Sequence, residues 1–354
     1  MMIARLTPRI VNAMTIDVED YFHANAFDRV VSFDQWPGLE SRVCANTDRI
    51  LGILDEAGVR ATFFVLGWVA ERFPALVQRI ARGGHEIASH SYRHRLVYEL
   101  SPEQFREDLR RAKSAIEAAA QVPVFGYRAP SYSVTARSLW ALDILAEEGY
   151  AYDASIFPIH HDRYGIPRSP RHAFLVEAGG AQLLEIPGST ARWAALNVPV
   201  GGGGYFRLLP YAVTRWGISQ LNRREQRPVV FYLHPWELDP AQPRLPVRHP
   251  TRWRHYHNLD RTEARFRRLL GEFRFDSVFA TLLEPPVRTA TAPMDASRTW
   301  PARDRPRTRT QPRGPRHRDR EPIGAAPGEA HAGLGRPDRP LDPRMPPLST
   351  HRGG

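Results

Sequence analysis

Eight short runs of strand length, at 10–16, 61–66, 85–89, 124–127, 151–152, 183–186, 229–233 and 277–282, recur along this 354-residue chain. Most are separated by stretches with helical periodicity. A parallel neighbour can be reached only by a crossover, so strands that alternate with helices restrict the chain to an α/β barrel or a doubly wound sheet. Seven or eight such units point to a distorted (β/α) barrel of mostly parallel strands. The helices carry their own punctuation. The pattern at 47–57 stops at Gly58, and Ser101-Pro102-Glu103-Gln104 reads as an N-cap, a proline at the first helical position and a capping partner. That helix is expected to run to about Ala120. Others are expected from Thr135 to Gly149, over 208–221 and over 261–273. The longer irregular stretches at 20–45, 155–173, 188–207 and 235–259 would form the rim of a barrel.

Charge divides the chain. From Pro285 to Gly354 there are 14 prolines, and 14 arginines stand against 7 acids, so this segment supplies +7 of the formal +11. So few large apolar residues cannot offset the entropy of ordering, and a disordered Pro/Arg-rich tail at 285–354 is expected behind one domain at 10–284. Lys113 is the only lysine, a bias best ascribed to a GC-rich genome rather than to phosphate recognition. Nucleic acid is not expected as a partner. Cys44 is the single cysteine, which excludes an intramolecular disulfide. No signal-peptide-like run opens the chain and no stretch approaches a membrane span, so a cytoplasmic protein is the expectation.

Residues with acid–base and ligating chemistry follow the strand-like runs. Asp17, Glu19 and Asp20 end the first, and His90 and His94 follow the third. Arg128 and Tyr132 follow the fourth, Asp153 the fifth, and His234 the run at 229–233. In an α/β barrel, groups at the carboxyl ends of different strands converge on one mouth. A spacing of i, i+4 would put both imidazoles on one face of a helical turn, within reach of a single divalent ion. Strand alternation turns Asp17 and Glu19 the same way, so that one acid can ligate a metal and the other take a proton from water. Asp20 competes with Glu19 for the ligand position if the strand ends early. Arg128 would tether the base carboxylate. An Asp153–His234 pair would fix the imidazole tautomer and support its cationic form as a general acid. Singly, each residue has a plainer reading, since the chain has 14 histidines and acids commonly sit in solvated loops.

Together the strings reach further. Asp17 with Glu19, His90-Ser-Tyr-Arg-His94, Arg128-Ala-Pro-Ser-Tyr132, the aspartate at 153 and Leu233-His234 occur in the order of the polysaccharide deacetylase (NodB-homology) motifs, and the chain resembles that family over about residues 10–282. Thr62-Phe-Phe-Val-Leu-Gly67 and Gly202-Gly-Gly-Tyr-Phe-Arg207 are similar to deacetylases encoded beside exosortase-linked exopolysaccharide genes. The first motif departs from the adjacent aspartates of many members by reading Asp-Val-Glu-Asp. The resemblance implies a divalent metal, zinc by preference, held by Glu19, His90 and His94, with Asp17 as base tethered by Arg128. It further implies His234 as acid supported by Asp153, and the backbone N–H of Tyr132 as oxyanion donor. The implied substrate is an N-acetylated glycan of an exopolysaccharide or its precursor, free or lipid-linked, met at the cytoplasmic membrane face. Two rivals stand beside it: an allantoinase-like hydrolase of small C–N bonds, and a noncatalytic carbohydrate-binding protein. Gly201–Gly204 lacks the G-K-[ST] of a phosphate loop and reads as a flexible rim that positions Tyr205 and Phe206. Trp236, Trp253, Tyr256 and nearby arginines are candidates for a sugar-stacking wall.

Overall fold

A computed structural model describes residues 10–284. The expectation of a disordered tail at 285–354 lies outside the described residues. In chain order the strands are β1 (Val11–Val18), β2 (Thr62–Val65), β3 (Glu86–Ser89), β4 (Gly126–Tyr127), β5 (Tyr152–Asp153), β6 (Phe174–Ala178), β7 (Ala181–Glu185), β8 (Thr190–Trp193), β9 (Leu196–Pro199), β10 (Val230–Leu233) and β11 (Arg274–Asp276). The helices are α1 (Val43–Ala57), α2 (Gly67–Arg72), α3 (Pro74–Arg82), α4 (Pro102–Ala120), α5 (Trp140–Glu147), α6 (Gly203–Leu208), α7 (Tyr211–Gln220), α8 (His249–Tyr256) and α9 (Leu259–Glu272).

The main sheet runs β10-β1-β2-β3-β4-β5-β7-β6. Every pairing is parallel except the β6–β7 hairpin. β1 is its hub. It pairs β10 through Ala13–Ile16 and β2 through Thr15–Val18, and β11 joins at Val11–Ala13. A strand covered on both faces must be apolar or internally paired throughout, and every β1 residue after Val11 is buried. No ladder joins β7 to β10. The gap is closed by irregular chain at 186–202. On one side of it, Ile186 N–H donates to Asp153 O and Gly188 N–H to Ile156 O, both at 2.8 Å. On the other, Tyr232 N–H donates to Gly201 O at 2.7 Å and Val230 N–H to the Ser189 hydroxyl at 2.8 Å. The expected distorted barrel is therefore eight parallel strands, counting β11, and one irregular seam. Because the strands are parallel, their carboxyl ends gather on one rim.

The helix punctuation largely holds. α1 stops at Gly58 with φ +62°, and Ser101 and Gln104 cap α4 reciprocally. Some expectations need correction. Residues 135–138 form a turn in which Thr135 N–H donates to the Ser138 hydroxyl at 2.9 Å, so α5 begins only at Trp140. Pro210 divides the pattern at 208–221, because the residue before a proline is pushed to extended backbone and Leu209 sits at ψ +156°. The run at 277–282 is not a strand. β11 precedes it, and the Ser277 hydroxyl accepts from Ala280 N–H and opens a helical turn over Phe279–Leu283. The β8–β9 hairpin and α8 lie in stretches expected to be irregular, whereas β7 takes up the expected run at 183–186 and β6 pairs with it as a strand that was not expected. No helix among the described residues is long and apolar enough to cross a membrane.

Gly202 has a conformation only glycine tolerates cheaply: φ is +115°, and a Cβ there would stand 2.0 Å from the Tyr232 carbonyl oxygen. It sits at the seam against β10. Gly202→Ala is expected to lower the unfolding free energy by about 2–4 kcal/mol in urea titrations. A loss below about 0.5 kcal/mol, the range of neutral surface changes, would show that the seam does not constrain the barrel.

Candidate active site

The first acids leave β1 in alternation. Asp17 and Glu19 both line a cavity of about 640 Å³ at the carboxyl rim, while Asp20 turns the other way. Asp20 accepts from Tyr21 N–H (3.0 Å), the Ser41 hydroxyl (2.7 Å), and the N–H groups of Arg42 (2.8 Å) and Val43 (3.1 Å). Its carboxylate is thereby committed to the start of α1, and Glu19 is the acid that faces the imidazoles.

Glu19 Oε1 lies 3.0 Å from His90 Nε2 and 2.9 Å from His94 Nε2, and the ligand atoms of the three all lie within 4.8 Å of one another. All three side chains are buried. The two histidines do not share a helical face as their spacing suggested. Ser91 at φ +72° and His94 at φ +56° wind residues 90–94 into an irregular turn, which brings the rings together at 5.3 Å between centroids. Left-handed backbone at a residue other than glycine is sparsely populated and concentrates at functional sites.

The donor set fits a divalent cation. A carbonyl oxygen can only accept, so the 2.8 Å contact of His90 Nδ1 with Arg128 O puts the ring proton on Nδ1. That leaves the Nε2 lone pair facing the Glu19 carboxylate, acceptor against acceptor. Both ring nitrogens of His94 are buried without a hydrogen-bond partner among the described residues. Orphaned acceptors converging on one point are what a cation satisfies. Burial alone would raise the Glu19 carboxyl, but the charges of His94 and His234 and the close approach of the His90 and His94 rings hold it well below the usual carboxylate range.

Asp17 is held from the far side of the barrel. Arg128 Nη1 donates to Asp17 Oδ1 at 2.6 Å and is 2.8 Å from the Thr15 hydroxyl, and its guanidinium lies 4.1 Å from the Phe64 ring centroid. Burial disfavours the guanidinium charge, yet Asp17 more than offsets this and its pKa is raised. The second Asp17 oxygen is 3.8 Å from His234 Nε2.

The His234 partner is not Asp153. Its Nδ1 contacts Glu237 Oε1 at 2.6 Å, and Glu237 is itself ion-paired to buried Arg207. Arg207 Nη1 also donates to the carbonyls of Arg254, His255 and His257 at 2.9–3.1 Å, so the chain before α9 is tied to the same carboxylate. Trp236 stacks on the His234 ring at 5.3 Å and 21°. Burial works against the His234 charge, but Glu19, Glu237 and Asp17 raise its pKa to about 9. Asp153 opposes Glu185 across the β5–β7 ladder instead, and burial raises both carboxyls. It accepts from Ser155, whose oxygen takes the Ala129 N–H at 2.7 Å, so it braces the Arg128 loop from behind.

Tyr132 departs from its expected part as well. Ser131 at φ +50° and Tyr132 at φ +53° close a tight turn in which Tyr132 N–H donates to Ala129 O at 3.1 Å, so that donor is occupied. The Tyr132 ring lines the cavity together with Tyr164, Tyr205, Tyr232, Trp236 and His255. Trp253 and Tyr256 lie outside it. The glycine run is no free loop: Gly202 bridges β10, and Gly203 opens α6, which carries Tyr205 to the cavity and buries Phe206.

Glu237 and Arg207 were not singled out from sequence. The i, i+3 spacing of Glu237 after His234 was the available signal, but an acid near a histidine is too common to stand out.

Residues 27–152 match the family described as Polysaccharide deacetylase, and residues 154–283 match a domain of unknown function (DUF3473). A peptidoglycan-N-acetylglucosamine deacetylase of Bacillus cereus is 37% identical over 97 residues, which are 26% of this chain and 34% of that protein. A chitooligosaccharide deacetylase of Bradyrhizobium is 28% identical over 110 residues, 31% of this chain and 48% of its own length. The chain thus spans a third to a half of these relatives. A Mycobacterium smegmatis crystal structure, solved as a candidate polysaccharide deacetylase, superposes with a TM-score of 0.51 at 24% identity, covering 75% of this chain and 83% of that one. That likeness concerns the fold alone.

A raised pKa in the folded state means that the stability from protonated His234 is complete below 6.5 and disappears as pH climbs through about 9. In protein stripped of metal by chelation, Glu237→Gln is expected to move the His234 imidazole titration, followed by NMR, down by about one unit or more. An unmoved titration would remove Glu237 as the supporting charge.

Proposed function

We propose that this chain, whose residues 27–152 match the polysaccharide deacetylase family, is a metal-dependent hydrolase that releases acetate from an N-acetylated sugar. The carrying observation is the convergence of Glu19, His90 and His94 within hydrogen-bond distance of one point, with Asp17 and His234 beside them on the cavity floor.

Glu19, His90 and His94 would hold the cation, zinc by preference for a set of two imidazoles and a carboxylate. Bound there, it would supply Lewis acidity toward the acetamide carbonyl. The chain's own groups do the remaining work. Asp17 Oδ2 is not held by Arg128 and can take the proton of the attacking water, while Arg128 fixes the carboxylate through Oδ1. His234 Nε2 points at the same space and delivers a proton to the departing sugar amine. Glu237 keeps Nδ1 protonated and the ring oriented, a task the family resemblance had assigned to Asp153. With the Tyr132 N–H spent on Ala129, positive charge to offset that on the tetrahedral oxygen would be supplied by a cation held by Glu19, His90 and His94. The aromatic lining suits the apolar faces of a sugar ring. An exopolysaccharide or its lipid-linked precursor is the substrate class favoured by the resemblance.

Asp17→Asn and His234→Ala are each expected to cut acetate release from N-acetylglucosamine oligomers by roughly 10²–10⁴-fold while the far-UV circular dichroism of the fold is retained, although Asp17→Asn should melt lower because Arg128 loses its buried partner. Full turnover by either variant would refute its role. Dialysis against a chelator is expected to stop turnover, and added zinc to restore it. Glu19→Gln and His94→Ala should lower the metal content of the purified protein, whereas Asp17→Asn should leave it unchanged. Equal metal content in all four proteins would place the cation elsewhere.

A further inference from the structure

The β8–β9 hairpin carries its largest apolar side chains outward. Trp193 and Leu196 face each other across the last rung and are 68% and 65% exposed, the highest values among the large apolar side chains described. Between them the turn is Ala194-Ala195, with Ala194 at φ +52°. A two-residue hairpin turn ordinarily uses asparagine or glycine, which accept left-handed backbone and face water well. This turn bears the backbone strain and still presents no polar side chain.

α7 widens the patch. Gln220 Nε2 donates to Arg192 O at 2.9 Å, which turns that face of the helix toward β8. Trp216, one turn before Gln220, is 40% exposed, and Arg224 follows one turn after it. The charge around the patch is predominantly positive, since the neighbouring acids Glu225 and Glu272 are each paired to a basic residue. Residues 186–224 hold five arginines and no aspartate or glutamate. Arg207 and Arg215 are paired to Glu237 and Glu272, while Arg192, Arg223 and Arg224 form no ion pair among the described residues.

We infer that this hairpin and the adjoining face of α7 dock on an anionic lipid surface. Tryptophan and leucine enter the interfacial layer, and the unpaired guanidinium groups meet lipid phosphates, the combination that holds peripheral proteins to membranes. The unpaired charges, all of them arginine, select lipid over a second copy of this chain, because two such faces would bring like charges together. The hairpin is also joined to the cavity. β9 leads directly into Gly201–Gly204 and Tyr205, and Asn197 Nδ2 donates to Pro158 O at 2.7 Å in the segment before the cavity residues His161–Tyr164. A docked hairpin would bring the cavity rim toward a lipid-borne glycan. The docking itself does not depend on the proposed activity.

The test is sedimentation of the full chain with vesicles of phosphatidylglycerol mixed with phosphatidylcholine, and with phosphatidylcholine alone. Binding is expected to the anionic vesicles, to weaken with added salt, and to fall roughly ten-fold or more in the Trp193→Ser, Leu196→Ser double variant. Arg192→Glu with Arg224→Glu should weaken it as well. All four side chains lie on the surface, and an unchanged thermal melt would confirm that folding is intact. Absence of binding to either vesicle would overturn the inference. So would equal binding by the apolar double variant, which would assign any lipid affinity to other basic parts of the chain. A concentration-dependent dimer abolished by that variant, without vesicle binding, would identify a second copy as the occupant instead.

Discussion

A single buried ion pair, Asp17 with Arg128, ties the hub strand of the barrel to the end of β4, across the places of β2 and β3. Both side chains are almost fully buried, so each charge depends on the other for what water would otherwise provide. Deleting one partner of such a pair leaves an uncompensated buried charge, at about 3–5 kcal/mol. The guanidinium fills the barrel interior against Phe64 and reaches Thr15 as well, so packing and electrostatics are satisfied by one side chain. The Asp17 carboxylate is thereby held with one oxygen committed to Arg128 and the other facing the cavity.

The same logic repeats around the rim. Glu19 is buried against two imidazoles, and His234 against Glu237, which is in turn buried against Arg207. Asp17 and Glu19 have partners supplied by other elements, while the partner of His234 lies three residues on in the same turn and is itself fixed by Arg207 of α6. Two chains of charge meet at the cavity floor: Arg128–Asp17 comes from the first half of the barrel, and Arg207–Glu237–His234 from the part that matches the domain of unknown function, and they meet where His234 Nε2 lies 3.8 Å from Asp17. The second segment thereby sets the orientation of the His234 ring.

Asp153 illustrates how a motif residue can keep its place and change its partner. It ends β5 at the rim, as its position in the chain required, but the register of β5 with β7 sets it against Glu185. Two buried carboxyls facing one another favour protonated forms, and the Ser155 contact transmits their position to Ala129 and the Arg128 loop. Its contribution is thus to the backbone that presents Arg128.

The order of strands and helices, the caps at Gly58 and Ser101, and the set of chemically active side chains at strand ends were legible in the residues alone. They depend on local rules: side-chain period, backbone freedom and the positions of proline and glycine. Even the opposed facings of Glu19 and Asp20 follow from alternation along β1. What the chain order could not specify was contact between distant residues. The irregular seam at 186–202, the replacement of Asp153 by Glu237 beside His234, and the capture of the Tyr132 N–H by Ala129 each depend on register, or on left-handed turns set by packing. The convergence of His90 and His94 belongs with them, because it comes from positive φ at Ser91 and His94 rather than from helical spacing. Sequence decided which groups arrive at the rim; tertiary structure decided which of them face each other, since a one-residue change of register or a single turned peptide redirects a side chain altogether.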